Sequence, residues 1–201
     1  MERTASLFLI ALAAMVMPSL EPKLRGDEPK EGKWESLFNG KDLSGWVAMH
    51  NVEFVVTNGN LRLVKGMGWL RTEKRYKDFV FEAEWSALVP QYDSGFFIRA
   101  GLEGKPWPDG VWQVNLQGAA LGGLVKGNKT VVPAETPPAP LNKWVKFRME
   151  VRGKKITLDV DGERAWEYAG LDAEEGFIGI QVEEKAFDFR NLRIQELGDG
   201  K

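Results

Sequence analysis

Between Asp93 and Gly118 the chain reads DSGFFIRAGLEGKPWPDGVWQVNLQG, a stretch that concentrates residue types able to bind or react. Two short runs, Gly95 to Ala100 and Val111 to Gln117, alternate as strands do, with successive side chains on opposite faces. In the second run Trp112, Val114 and Leu116 fall on one face and Gln113, Asn115 and Gln117 on the other. An amide both donates and accepts, so a row of amides suits a ligand rich in hydroxyls. Asp93 precedes the first run, Arg99 ends it, and Trp107 stands between Pro106 and Pro108 in the connecting loop. Charge, amides and an aromatic plate so close together are the chemistry of a sugar-binding groove. For Arg99 the plainer alternative is a surface ion pair, which contributes little.

The remaining reactive residues are few. The absence of cysteine removes thiol nucleophiles, Cys-ligated zinc, disulfides and a lipid-bearing cysteine together. His50 is the single histidine, in a turn-like Met49-His50-Asn51, so a multi-histidine metal site is impossible and a Ser-His-Asp triad would have to run through it. A solvated side chain is its simpler reading. Glu82 and Glu84 share one strand face opposite Phe79, Phe81, Ala83 and Trp85. They are the solvated side of an antiparallel sheet, or else Glu84 joins Asp93 as an oxygen donor for a divalent metal. Trp69 could stack on a sugar ring or fill the core; Trp107, in a loop between prolines, suits stacking better.

These residues need strands to position them, and strands are what the chain offers. Phe54 and Val56 alternate into Asn58-Gly59-Asn60, and Leu61 and Leu63 alternate out, a hairpin signature. Trp34 to Trp46 carries two glycine turn signals and should fold back to cap the core with Leu37, Phe38, Leu43 and Trp46. Gly68 to Thr72 reads as a separate short strand. Gly118 to Pro140 reads as a loop excursion containing a strand at Ala120 to Val125, since its proline tract cannot join a central strand. From Lys143 a meander follows: Val145 to Val151, Ile156 to Val160 and Arg164 to Tyr168, then Phe177 to Glu183 and Phe187 to Leu197 with an irregularity at Asn191. No helix-period run of any length competes. An all-β fold, two antiparallel sheets in a sandwich, buries one face from each.

Composition agrees. The chain is long enough for one domain and an N-terminal appendage, and 27 basic against 29 acidic residues, with no concentrated basic patch, argue against a nucleic-acid partner. Arg3 followed by an apolar run from Ala5 to Met17 matches a secretory signal and is too short to span a bilayer comfortably; a short uncleaved anchor is the alternative. The expected layout is a signal peptide over 1–20, a charged linker over 21–33 and one domain over 34–201, in a protein exported to the periplasm or beyond, where a cell-surface location is also open.

Several motifs carry a family resemblance. Ser36-Leu-Phe-Asn-Gly-Lys-Asp-Leu-Ser-Gly-Trp46, Trp69-Leu-Arg-Thr72, Ser94-Gly-Phe-Phe-Ile-Arg99, Trp112-Gln-Val-Asn115, Asn142-Lys-Trp144, Gly176-Phe-Ile-Gly-Ile-Gln181 and Phe189-Arg-Asn-Leu-Arg-Ile194 occur in the order seen in the 3-keto-disaccharide hydrolase family, which the chain resembles from Trp34 to Leu197. The resemblance implies a jelly-roll sandwich of the concanavalin A-like lectin and glucanase type with a concave ligand face. It also implies action on 3-keto-glycosides by elimination and hydration, in some members with a divalent metal. A C3 ketone acidifies the C2 proton, so such an enzyme needs a base, an enolate stabiliser and groups that grip hydroxyls.

The departures from the family decide which residues are candidates. Many relatives carry an acid where this chain has Gln113, and an Asp-His-Gly-like turn where it has Gln181-Val182-Glu183-Glu184. A neutral amide cannot act as a base, so Glu183 or Glu184 must substitute, and alternation sets Gln181 and Glu183 opposite Ile178, Ile180 and Val182, with the amides. The expected catalytic set is therefore Glu183, Glu184 and Arg99. The expected sugar contacts are Asp93, Arg99, Trp107, Gln113, Asn115, Gln117, Gln181 and Trp69. A carbohydrate-binding module without catalysis, or a structural surface domain, would use the same fold.

Overall fold

Alternation of apolar and polar residues produces thirteen strands and one short 3-10 turn among the described residues, 32–198, of a computed structural model. The expected signal segment and nearly all of the linker lie outside the described residues. The strands are β1 (Trp34–Ser36), β2 (Trp46–Thr57), β3 (Asn60–Thr72), β4 (Phe79–Ala87), β5 (Gly95–Ala100), β6 (Trp112–Asn115), β7 (Leu124–Lys126), β8 (Lys129–Val132), β9 (Val145–Arg152), β10 (Lys155–Val160), β11 (Glu163–Ala169), β12 (Phe177–Glu183) and β13 (Phe187–Glu196). All pairings are antiparallel.

One sheet runs β11-β10-β9-β4-β13, with β1 on the free edge of β13; the other runs β8-β7-β6-β5-β12-β3-β2. β3 links them. Leu61 to Leu63 pairs with β13, whereas Met67 to Arg71 pairs with β12. The crossing point is Gly66-Met67-Gly68, where both glycines have positive φ and a Cβ on Gly66 would lie 2.1 Å from the Asn51 carbonyl oxygen. Only glycine tolerates that backbone and that approach. This is why the two short strands expected from Leu61 and Gly68 are one strand of 13 residues: the glycines bend it without ending it.

The inward faces of both sheets close over one core. Phe79, Phe81 and Trp85 of β4, Phe96 and Ile98 of β5, Phe147 and Met149 of β9, and Phe187 and Phe189 of β13 are buried in it. Trp85 meets Phe147 edge to face at 5.6 Å. Phe38 and Trp46 cap the core as expected, with Leu37 and Leu43 packed against it. The Asn58-Gly59 hairpin forms with positive φ at both residues. The 118–140 excursion is more ordered than its composition implies: Gly118–Ala120 is the 3-10 turn, and β7 and β8 form a hairpin before the proline tract. The architecture is the all-β sandwich expected, and no helix among the described residues is long and apolar enough to cross a membrane.

The outward face of the first sheet is an ion-pair ladder, which settles the reading of two glutamates. Glu84 accepts from Arg190 Nε at 2.7 Å and from Asn191 Nδ2 at 2.6 Å, and Glu82 from Arg193 Nη2 at 2.6 Å. They are the charged outer side of that sheet.

Candidate functional site

The outward face of the second sheet carries the amides. Along β6 the residues alternate buried and half-buried from Trp112 to Asn115, so Gln113 and Asn115 look out while Trp112 and Val114 enter the core. Gln181, almost fully buried, joins them from β12, opposite Trp69 of β3. Gln113 Nε2 donates to Gln181 Oε1 at 2.7 Å, and Gln181 Nε2 donates to Glu183 Oε2 at 3.1 Å. Gln117 Nε2 donates to Asp93 Oδ2 at 2.7 Å. Gly95 makes the first link possible: a Cβ there would lie 2.3 Å from Gln113 Nε2 and 2.6 Å from its Cγ, so the amide lies across a strand position that carries no side chain.

The amide chain therefore ends on a carboxylate, and a second carboxylate lies within electrostatic reach. Burial pushes the Glu183 carboxyl above its usual range, the charge of Asp93 pushes it further, and Lys185 opposes both. Burial likewise raises the Asp93 carboxyl, against the hydrogen bond from Gln117 and the charge of Lys185. Two half-buried carboxyls with raised proton affinity at one end of a hydrogen-bonding face are suited to acid-base chemistry.

Next to this polar end the face is aromatic. Trp69 and Phe97 meet edge to face at 5.7 Å over Gly179, where a Cβ would lie 2.7 Å from the Trp69 ring, and Met49, Trp107 and Val111 pack against them. Trp107 is half-buried and its indole N–H donates to the Gly68 carbonyl at 2.8 Å, which ties the β5–β6 loop back to β3. Beyond the aromatics Arg71 lies over the Phe177 ring at 4.4 Å, with its Nε buried and unpartnered.

The expected residues thus divide. Gln113, Asn115, Gln117, Gln181, Asp93 and Glu183 come together, with Trp107 on the same face. Three expectations are corrected. Trp69 is 1% exposed, so it forms the floor under the face and offers no ring to a ligand. Arg99 has a φ of 49°, and the β5–β12 register shifts beside it, so the alternation that would have set it with Gly95 and Phe97 fails; Ala100 takes that face instead. Its guanidinium is spent on the carbonyls of Lys77, Gly153 and Ala173 at 2.6–2.7 Å and on Asp78 at 2.8 Å. Glu84 lies on the opposite sheet from Asp93, so those two metal donors are not brought together; among the described residues no group of three or more His, Asp or Glu side chains could hold a metal ion. Glu184 is an exposed turn residue with φ of 55°, and His50 is exposed on β2. Arg71 escaped the sequence reading although its spacing from Trp69 puts it on the same strand face.

An antiparallel sandwich with a hydrogen-bonding face, a paired-acid end and an aromatic floor is the build of a carbohydrate-recognising β-sandwich protein. Residues 33–195 match the 3-keto-alpha-glucoside-1,2-lyase-like domain, and the chain belongs to that carbohydrate-acting family. No curated protein sequence matches it. In fold it is similar to a Parabacteroides distasonis protein named "putative glycosyl hydrolase" (TM-score 0.68, 20% identity, 82% of this chain and 100% of that one). It is also similar to the carbohydrate binding module CBM66 from Bacillus subtilis (TM-score 0.63, 16% identity, 74% and 93%) and to the kappa-carrageenase from Pseudoalteromonas carrageenovora (TM-score 0.59, 15% identity, 89% and 100%).

Proposed function

We propose that this is an exported enzyme that cleaves 3-keto-glycosides at the face of Gln113, Gln181 and Glu183. The observation that carries the reading is the Gln113–Gln181–Glu183 hydrogen-bond chain ending beside Asp93. Glu183 takes the proton from C2, leaving an enolate conjugated through the C3 ketone. The electron pair then forms the C1–C2 double bond and expels the C1 oxygen, which takes a proton from the Asp93 carboxyl. Addition of water, hydroxyl to C1 and proton to C2, completes a net hydrolysis. Lys185, whose charge acts on both carboxyls, is the positive group at this end of the face for the enolate oxygen. Trp107 borders the face that receives the ring, and the amides take its hydroxyls.

The test is release of nitrophenol from a p-nitrophenyl 3-keto-glucoside, with and without Mn²⁺, by the wild type and by Glu183→Gln. Turnover lost in the variant under both conditions is expected; equal turnover would remove Glu183 as the base. A carbohydrate-binding module is the second reading, favoured by the neutral Gln113 and by the withdrawal of Arg99. Saturable binding of the ketoglucoside with no nitrophenol released would establish it.

The floor gives a further expectation. Gly95→Ala should swing Gln113 aside and break its bond to Gln181, raising KM about tenfold, the loss of one hydrogen bond to a ligand, with little change in melting temperature. Unchanged KM would show that Gln113 does not touch substrate.

A further inference from the structure

We propose that the outward face of the first sheet, opposite the amide face, holds a second and non-catalytic binding site for a neutral oligosaccharide, built on Trp34 and the bulge at Asn191. The bulge is the organising feature. Arg190 and Arg193 are three residues apart and on a regular strand would point to opposite faces. A register shift with Asn191 at φ of 52° turns both outward, opposite Glu84 and Glu82. One arrangement is thereby made twice. Trp34 lies over the Arg193 guanidinium at 4.3 Å, and Arg193 donates to Glu82 Oε2 through Nε at 2.8 Å and Nη2 at 2.6 Å. Trp144 lies over Arg190 at 4.0 Å, and Arg190 Nε donates to Glu84 Oε2 at 2.7 Å.

A cavity of about 540 Å³ opens here, lined among others by Trp34, Ser36, Glu84, Lys146, Asn191 and Arg193. That is the size of a small-molecule site. Trp34 is 39% exposed, and its contact with a guanidinium that is itself held by a carboxylate fixes the ring before a ligand arrives, reducing the ordering cost. The polar lining is matched within itself: Glu82 meets Arg193 and Lys146, and Glu84 meets Arg190 and Asn191. Glu35, the third carboxylate of the lining, meets Lys74, so no carboxylate is left unpaired to favour a cation, while donors and acceptors alternate around an aromatic plate, as ring hydroxyls and the apolar face of a pyranose require. A plain solvated ladder needs no tryptophan. Farther along the same sheet, the 290 Å³ cavity lined by Glu150, Arg152, Lys155, Thr157 and Arg164 has none.

The two faces belong to opposite sheets and can be occupied together, so this site would hold the protein on a glycan while the amide face works. The probes are cellohexaose, laminarihexaose and maltohexaose, titrated calorimetrically into the wild type, into Gln113→Ala/Trp107→Ala, which disables the amide face, and into Trp34→Ala. At least one hexasaccharide is expected to bind the amide-face variant as it binds the wild type, to bind Trp34→Ala at least tenfold more weakly, and to recover in Trp34→Phe. Absence of binding to the amide-face variant, or equal affinity in Trp34→Ala, overturns the proposal; tighter binding of trigalacturonate than of the neutral probes overturns the neutral assignment. Nitrophenol release by Trp34→Ala is expected to equal that of the wild type, so the failure of this site and the failure of the catalytic reading are distinguishable.

Discussion

Arg99→Met is expected to destabilise the fold by about 3–5 kcal/mol, the range for removing one member of a buried ion pair, while leaving turnover per folded molecule unchanged. The Arg99 side chain is 1% exposed and that of Asp78 12%. Its guanidinium joins the loop before β4, the β9–β10 turn and the segment before β12 through the carbonyls of Lys77, Gly153 and Ala173. Asp78 Oδ1 also accepts from the Gly153 N–H at 2.7 Å, so the charge and the turn depend on each other. Methionine fills the volume of the stem but leaves the carbonyls without donors and the Asp78 carboxylate without its cation. Lysine restores a charge but not the planar fork that reaches several acceptors at once, and should recover less than half of the loss. Thermal unfolding should show a drop on the order of 10 °C. Activity measured well below the new midpoint is the discriminating readout. A variant that melts like the wild type but fails to turn over would return Arg99 to the substrate face.

Arg99 also shows where sequence reading loses its hold. Period-two alternation located the amides, the inward aromatics of β4 and the β9–β10 hairpin, because each of those pairings runs without interruption and its side chains must alternate. Alternation fails where the backbone inserts a residue, and an L residue at positive φ announces nothing in its own identity. By plain counting Arg99 shares a face with Phe97; the shift at the end of β5 turns it inward. The same physics worked the other way at Asn191, whose side chain tolerates left-handed backbone and which could be suspected of an irregularity. Pairing between distant strands was the second blind spot. Asp93 comes within electrostatic reach of Glu183 because β12 inserts between β3 and β5, and nothing local to either segment states that neighbour. The joined β3 was hidden for a related reason: glycine signals a turn far more often than a strand passing from one sheet to another.

The largest effect on activity is expected from Glu183→Gln, and it should come with no loss of stability. Removal of a general base lowers kcat by about 10² to 10⁴, equivalent to about 3–5 kcal/mol in the barrier. The substitution keeps the acceptor oxygen for Gln181 Nε2, so the amide chain stays in place. Stability moves in the opposite sense from activity. Glu183 binds its proton more tightly folded than unfolded, because burial and Asp93 both disfavour the carboxylate. Its contribution to stability is therefore complete below the unfolded carboxyl pKa and is lost as pH rises through the folded one. Glutamine cannot ionise and avoids that loss, so at neutral pH the variant should be as stable as the wild type or more so, by no more than about 1 kcal/mol given the solvent screening of a half-exposed pair; in acid the two should converge. The pH dependence of turnover completes the test. The working form, with Glu183 ionised and the proton on Asp93, is the less populated of the two singly protonated states, since the charge of Asp93 raises Glu183; its population still rises and falls with the pair's two proton losses, so the wild-type profile should be bell-shaped. Glu183→Gln should remove the acid limb from whatever rate remains, and Asp93→Asn the alkaline limb. Parallel falls in activity and melting temperature would mark Glu183 as structural support, and a profile unchanged in shape would assign the proton transfer to another group.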